Sequence, residues 1–171
     1  MRTPTWNIRT EMLADRDAVH DIVAAAFDTG AEAELVDALR ADPAWIPALS
    51  LVAVDEFDTP IGHVLLTRNH IGATPALCLA PVSVLPDHQN RGMGDALTRA
   101  GLAAAAARGE QFVTVLGHPS YYPRFGFTRA SDHGIAMNVE VPDDALMALS
   151  LNPAATPPGG KIRYAKAFGD I

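Results

Sequence analysis

Residues 79–99 read LAPVSVLPDHQNRGMGDALTR. An apolar run ends at Leu85, meets Pro86, passes through Gly92-Met93-Gly94 and continues into a helix-forming stretch. The pattern predicts a buried strand, a short turn and a helix in immediate succession. Such a turn suits an anion. Small residues let the backbone approach closely, and the N–H groups of the first helical turn have no partner within the helix. The stretch therefore reads as a cradle for a phosphate or pyrophosphate, and the rest of the chain must say whose.

On the N-terminal side, residues 5–10 read as a strand. Val19, Ile22, Val23, Ala26 and Phe27 repeat at helical spacing and predict a helix over 15–27. A second helix is expected over 32–41, stopped by Asp42-Pro43. Three strands follow, at 49–55, 61–70 and 76–85, the last interrupted by Pro81, which cannot donate to a ladder and is unwelcome in a central strand. Beyond the helix expected over 92–108, residues 112–116 read as a strand. Gly117-His118-Pro119 opens a turn through Tyr121, Tyr122 and Phe125, and extended chain resumes at 126–128. A strand is expected over 135–141, a short helix over 142–149, a loop over 152–160 and a final strand over 161–168. Consecutive strands ahead of one β-α-β unit predict an α/β (α+β) fold with a mixed sheet and helices on its faces. The 171 residues suit one domain, with a core over 5–141 and a C-terminal extension over 142–171.

The bulk chemistry narrows the partners. Half the residues are hydrophobic (49%) and 19% are charged, as in an ordinary folded domain. A net charge of -7 argues against nucleic acid, which needs a basic surface. Residues 1–60 hold 12 acids against 4 basic residues and 61–171 hold 8 against 9, so the acidity is concentrated in the first third. That asymmetry reads either as solvated helix faces or as the approach for a cationic substrate. One cysteine, Cys78, forms no internal disulfide, and no apolar leader or membrane-length segment occurs, so a cytoplasmic protein is expected. The six histidines lack metal-ligand spacing, and no metal is expected.

Three phosphate motifs compete for the glycines. The P-loop fails: Gly160-Lys161 is the only Gly-Lys pair, with Ala155 and Ile162 where glycine and a hydroxyl residue are required. The dinucleotide fingerprint lacks its third glycine at Leu97 and would fall after consecutive strands rather than within a parallel unit. The third pattern is Gln/Arg-x-x-Gly-x-Gly/Ala, which Gln89-Asn90-Arg91-Gly92-Met93-Gly94 satisfies. Together with Val82-Ser83-Val84-Leu85-Pro86, with Tyr121-Tyr122-Pro123-Arg124-Phe125-Gly126-Phe127 some 30 residues on, and with the element order, it closely resembles the GNAT superfamily of acyl-CoA N-acyltransferases. Within it, the run from Gly117 to Phe127 and the extension to a last Lys-Ile-Arg-Tyr strand resemble a bacterial subgroup of predicted acetyltransferases.

The resemblance implies a mostly antiparallel sheet that splays beside the strand before the phosphate loop, a gap in which Pro81 would be useful. It implies acetyl-CoA as cosubstrate. Backbone N–H groups of Gln89, Asn90, Arg91, Gly92, Met93, Gly94 and Asp95 would hold the pyrophosphate, with Arg91 adding charge. The main chain of Val82 and Val84 would pair with the pantetheine arm, and a strand N–H near Val82 would hold the oxyanion. Tyr122, four residues before Gly126, takes the family's place for the general acid, with the neighbouring Tyr121 as the fallback. The acetyl group would pass directly to a primary amine of a small molecule or a peptide, through the acceptor border formed by the first two helices.

The base is open. At pH 7 a lysine-like amine is neutral about once in 2,500 molecules, a peptide α-amine roughly 10–17% of the time. Some relatives place a glutamate on the strand before the loop, and residues 76–85 hold no carboxylate. His118, a water chain or an acidic residue of the first third are the candidates. The rival class is a CoA-binding module without catalysis; Tyr122 in register argues against it.

Overall fold

The computed structural model describes residues 5–171. In chain order the strands are β1 (Asn7–Thr10), β2 (Ser50–Val54), β3 (Pro60–Ile71), β4 (Thr74–Val84), β5 (Phe112–Leu116), β6 (Thr128–Arg129), β7 (Ile135–Ala136), β8 (Leu146–Ser150) and β9 (Gly160–Arg163). The helices are α1 (Arg16–Ala26), α2 (Ala31–Arg40) and α3 (Met93–Ala107). The sheet runs β1-β2-β3-β4-β5-β8-β6, antiparallel along this path except for the parallel pair β4 and β5; off it, β9 pairs antiparallel with β3 and parallel with β7. This is the mixed, mostly antiparallel α/β architecture expected from the element order.

Helices cover both faces. Along β2, Leu51 and Ala53 pack with Met93 and Leu97 of α3, while Val52 and Val54 pack with Val19 and Val23 of α1 and Val36 and Leu39 of α2. The period-two alternation of one strand thus puts α3 on one face and the first two helices on the other. Because both faces are buried, β2 is apolar along its whole length apart from Ser50.

The decisive irregularity lies in β4. Its pairing with β3 shifts between Val64↔Val82 and Leu66↔Leu79, so Ala80 and Pro81 stand against Leu65 alone. This is a bulge, and it places proline where its missing N–H removes no regular ladder bond. On the other side, β4 pairs with β5 only at Leu77↔Val113 and Cys78↔Thr114. The rest of β4, from Leu79 to Val84, has no ladder partner on the β5 side among the described residues. The sheet opens there into a gap.

The C-terminal third departs from the expected elements. Residues 142–149 do not form a helix: Leu146–Ser150 is β8, paired along the whole of β5. Met147 packs into the α3-side core and Leu146 and Ala148 into a second cluster with Phe112 and Ile162, so the strand is buried on both faces and shows no alternation. A short apolar run of Leu, Met and Ala cannot be told from a buried helix by periodicity, and the free edge of β5 decides. The strand expected over 135–141 shrinks to Ile135–Ala136, and the last strand ends at Arg163 before a single 3-10 turn, Lys166–Phe168.

Candidate active site

The gap beside β4 continues into a cavity of about 750 Å³ lined by β4, the turn that opens α3, the end of α1 and the tyrosine turn after β5. Val82, Val84, Gln89, Asn90, Gly92, Met93, Gly94 and Asp95 all line it, as do His118, Tyr121 and Tyr122. Of the residues singled out from the sequence, Arg91 alone stands outside the lining, with its side chain exposed.

The cradle is built by local conformation. Asn90 and Gly92 both have positive φ, 62° and 85°, and bend the chain into the start of α3. Gly92 is the N-cap residue and its carbonyl accepts the first helical bond, from Ala96 N–H. The amides of Met93, Gly94 and Asp95 therefore have no carbonyl to receive them within the helix, and the helix dipole adds positive potential at that end. Met93, 1% exposed, anchors the turn in the core.

Pairing geometry shows which way the β4 backbone faces. Leu85 N–H donates to Ile61 C=O, so Ile61/Leu85 and His63/Ser83 are the hydrogen-bonded pairs of the β3–β4 ladder. The alternate residues, Val82 and Val84, turn their N–H and C=O groups away from β3 and into the gap. One of these groups is already engaged: Gln89 Nε2 donates to Val84 C=O at 2.9 Å. The gap side of β4 thus presents main chain outside the ladder at Val82 and Val84, with the glutamine amide on one carbonyl.

The two tyrosines are not equivalent. Tyr121 and Tyr122 sit at the head of a single 3-10 turn, Tyr122–Phe125, entered through bonds from both of their N–H groups to His118 C=O. The Tyr121 hydroxyl donates to Asp95 Oδ1 at 2.6 Å. Burial, with the Asp95 carboxylate beside it, pushes this phenol up to about 12. The Tyr122 hydroxyl has no hydrogen-bond partner among the described residues, and burial, with Cys78 nearby, raises it above its ordinary value of 10. Both phenols stay protonated at neutral pH, but only Tyr122 has its proton uncommitted. Its ring packs edge-on to Tyr121 and Phe127, with centroids 5.0 and 5.8 Å away.

The remaining wall contains groups that the sequence did not single out: Ala26 and Phe27 at the end of α1, His88 before the cradle and Arg124 within the tyrosine turn. Arg124 lay in the quoted motif and was legible there as a cation; nothing in the sequence marks Ala26, Phe27 or His88 individually. Asp95 is the one carboxylate on the lining, and it is engaged by Tyr121. Cys78 is 5% exposed and burial pushes its thiol up to about 12, as suits a core residue rather than a nucleophile. Among the described residues no three His, Cys, Asp or Glu side chains cluster as metal ligands do, and no helix is long and apolar enough to cross a membrane.

Comparison with known proteins converges on the same reading. Residues 47–129 match the acetyltransferase (GNAT) domain family. The chain is 36% identical over 136 residues to the uncharacterized N-acetyltransferase YjhQ of Escherichia coli K12, covering 77% of this chain and 75% of that one. It superposes on a GNAT-family N-acetyltransferase, YhbS of Escherichia coli in complex with CoA, with a TM-score of 0.91 at 26% identity over 98% and 94% of the two chains. A GNAT acetyltransferase of Brucella melitensis in complex with acetyl-CoA gives a TM-score of 0.79 at 32% identity over 95% and 97%. Fold, site and relatives agree: the chain belongs to the GNAT family of N-acetyltransferases.

Proposed function

We propose that this chain, acting as one domain, transfers the acetyl group of acetyl-CoA directly to a primary amine, with Tyr122 as the general acid. The observation that carries the reading is the convergence on one cavity of the α3 amide cradle, the gap-facing main chain of Val82 and Val84, and an uncommitted phenol at Tyr122. These residues fit a pyrophosphate followed by an amide-bearing arm: the first meets helix N-terminal amides, the second meets strand donors and acceptors. The thioester supplies an activated acyl carbon and a thiol leaving group.

The residues then divide the work. Met93, Gly94 and Asp95 amides hold the diphosphate, and Gln89, Asn90 and Gly92 shape the turn that aims them. Val82 N–H faces the gap, where it receives the developing oxyanion. Tyr122 gives its proton to the departing thiolate; a phenol raised by burial stays protonated until that thiolate forms beside it. No cysteine lines the cavity, which favours direct attack by the amine over a covalent enzyme intermediate. His118 and His88 are the imidazoles within reach of the cavity for proton removal, through water or directly.

For the acceptor, Ala26 and Phe27 form the wall; the exposed Asp28 follows them directly, and the half-buried Glu32 stands four residues further on, in the first turn of α2. A cationic amine, such as a polyamine or a peptide N-terminus, is the class this border favours. The test is acetyl-CoA turnover across an amine panel at low and high salt. Polycationic amines should be preferred at low salt and lose that preference as salt rises. Equal, salt-independent rates on neutral and polycationic amines would remove the acceptor assignment, and no thiol release with any amine would remove the transfer reading.

A further inference from the structure

We propose that Asp95, Tyr121 and Arg124 form a latch that fastens the turn carrying Tyr122 to the first turn of α3, so that pyrophosphate cradle and proton donor share one register. The inference rests on the functional reading above and assigns Tyr121 a positioning role instead of a catalytic one.

The turn needs such a fastening. It is one 3-10 turn of four residues with no side-chain cap, too short to hold its own geometry. Its strongest tie to another element is the 2.6 Å bond from the Tyr121 hydroxyl to Asp95, a charge-assisted contact between residues 26 positions apart. Arg124 closes the arrangement: its guanidinium lies 4.3 Å from the centre of the Tyr121 ring, Nε donates to Tyr121 C=O at 2.9 Å, and Nη1 reaches Asp95 Oδ2 at 3.4 Å. Tyr121 in turn abuts Tyr122 edge-on at 5.0 Å and Phe125 at 5.4 Å. A force on α3 is thereby passed to the Tyr122 ring through one hydroxyl and one aromatic contact.

The latch also answers an electrostatic problem. Asp95 places a carboxylate in the helical turn that offers its amides to an anion, where it would oppose a diphosphate. The Tyr121 proton and the Arg124 cation, both directed at Asp95, offset that charge without using the cradle amides.

The test compares Tyr121→Phe, Asp95→Ala, Asp95→Asn and the Tyr121→Phe/Asp95→Ala double variant in the full chain. The two single disruptions should each lower kcat about 10- to 100-fold, as misplaced donors do. The double variant should be no slower than the slower single one, because both break the same bond. Asp95→Asn keeps an oxygen acceptor for Tyr121 and should recover most of the loss. The alkaline limb of kcat should keep its wild-type position in Tyr121→Phe, since Tyr122 remains the donor. Hydrogen exchange over residues 118–126 should quicken in Tyr121→Phe and Asp95→Ala while β3 and β4 keep their protection. Wild-type kcat in Tyr121→Phe, additive losses, an Asp95→Asn variant as slow as Asp95→Ala, or unchanged exchange in the turn would each overturn the latch. Loss of the alkaline limb in Tyr121→Phe would make Tyr121 the acid and overturn it too. The exchange measurement needs no turnover, so it judges the latch even where absent wild-type thiol release defeats the transferase reading.

Discussion

A β-carbon on Gly117 would stand 2.4 Å from Cε2 of Tyr122: the ring rests against the bare backbone where β5 ends. Tyr121, Phe125 and Phe127 hold the ring from other sides, so it has little room to yield. Gly117→Ala should therefore leave the fold intact at a cost of about 1–3 kcal/mol, the usual range for overpacking, and displace the phenol. We expect kcat to fall about 100-fold with little change in the KM for acetyl-CoA. Denaturation and steady-state kinetics on the one variant check both; a Gly117→Ala variant with wild-type kcat would show that Tyr122 is not held where the reaction needs it.

Gly92 calls for the opposite split. Its φ of 85° favours glycine, yet the space around a β-carbon there is open, so Gly92→Ala is strained only in its own backbone, by roughly 1–2 kcal/mol. The strain falls on the cradle. Calorimetry should show CoA bound several-fold more weakly, while kcat at saturating acetyl-CoA stays within about twofold of wild type. An unchanged Kd would place the diphosphate elsewhere.

The fold was legible wherever a segment carried its own signal. Gly30, Asp42-Pro43 and the glycines of the cradle marked the ends of elements, and the strand at 112–116 agrees to the residue. The tyrosine turn was legible because Pro119, Pro123 and Gly126 punctuate it. Leu146 to Ser150 was not: a strand buried on both faces shows no alternation, and its partner β5 lies about 30 residues away in sequence. The cavity wall shows the same limit. Gln89 to Asp95 is contiguous and could be read, whereas Ala26 and Phe27 reach the site only through the packing of α1 over β3 and β4, and His88, one residue before the cradle, holds no motif position. The pairing of Tyr121 with Asp95 was hidden for the same reason.

Stability in mild acid follows from His63. The ring is fully buried on β3, and its Nε2 lies 2.8 Å from Ser50 Oγ. Ser50 donates its proton to Glu11 at 2.9 Å, so the imidazole donates through Nε2, while Nδ1 is buried with no partner among the described residues to receive a second proton; Arg40 pairs with the same Glu11. Burial pulls His63 down to about 4, with Glu11 opposing and Arg40 reinforcing the shift. The unfolded chain takes up this proton near pH 6.5, so the contribution is complete above that value and is lost as the pH falls from 6.5 toward 4, at up to about 1.4 kcal/mol per pH unit. Urea denaturation at pH 7.5 and 5.0 should show the wild type losing more stability than His63→Gln; identical losses would mean that His63 is protonated in the folded protein.

The proposed role of the Tyr122 hydroxyl as general acid is tested most directly by the pH profile of kcat for Tyr122→Phe beside the wild type. Burial raises this phenol above its ordinary value of 10, so the wild-type profile should show an alkaline limb only above that pH. Tyr122→Phe should be about 10²- to 10⁴-fold slower, should bind CoA as the wild type does, and should lack the limb. A Tyr122→Phe variant that turns over acetyl-CoA at the wild-type rate, with the alkaline limb in place, would contradict the assignment.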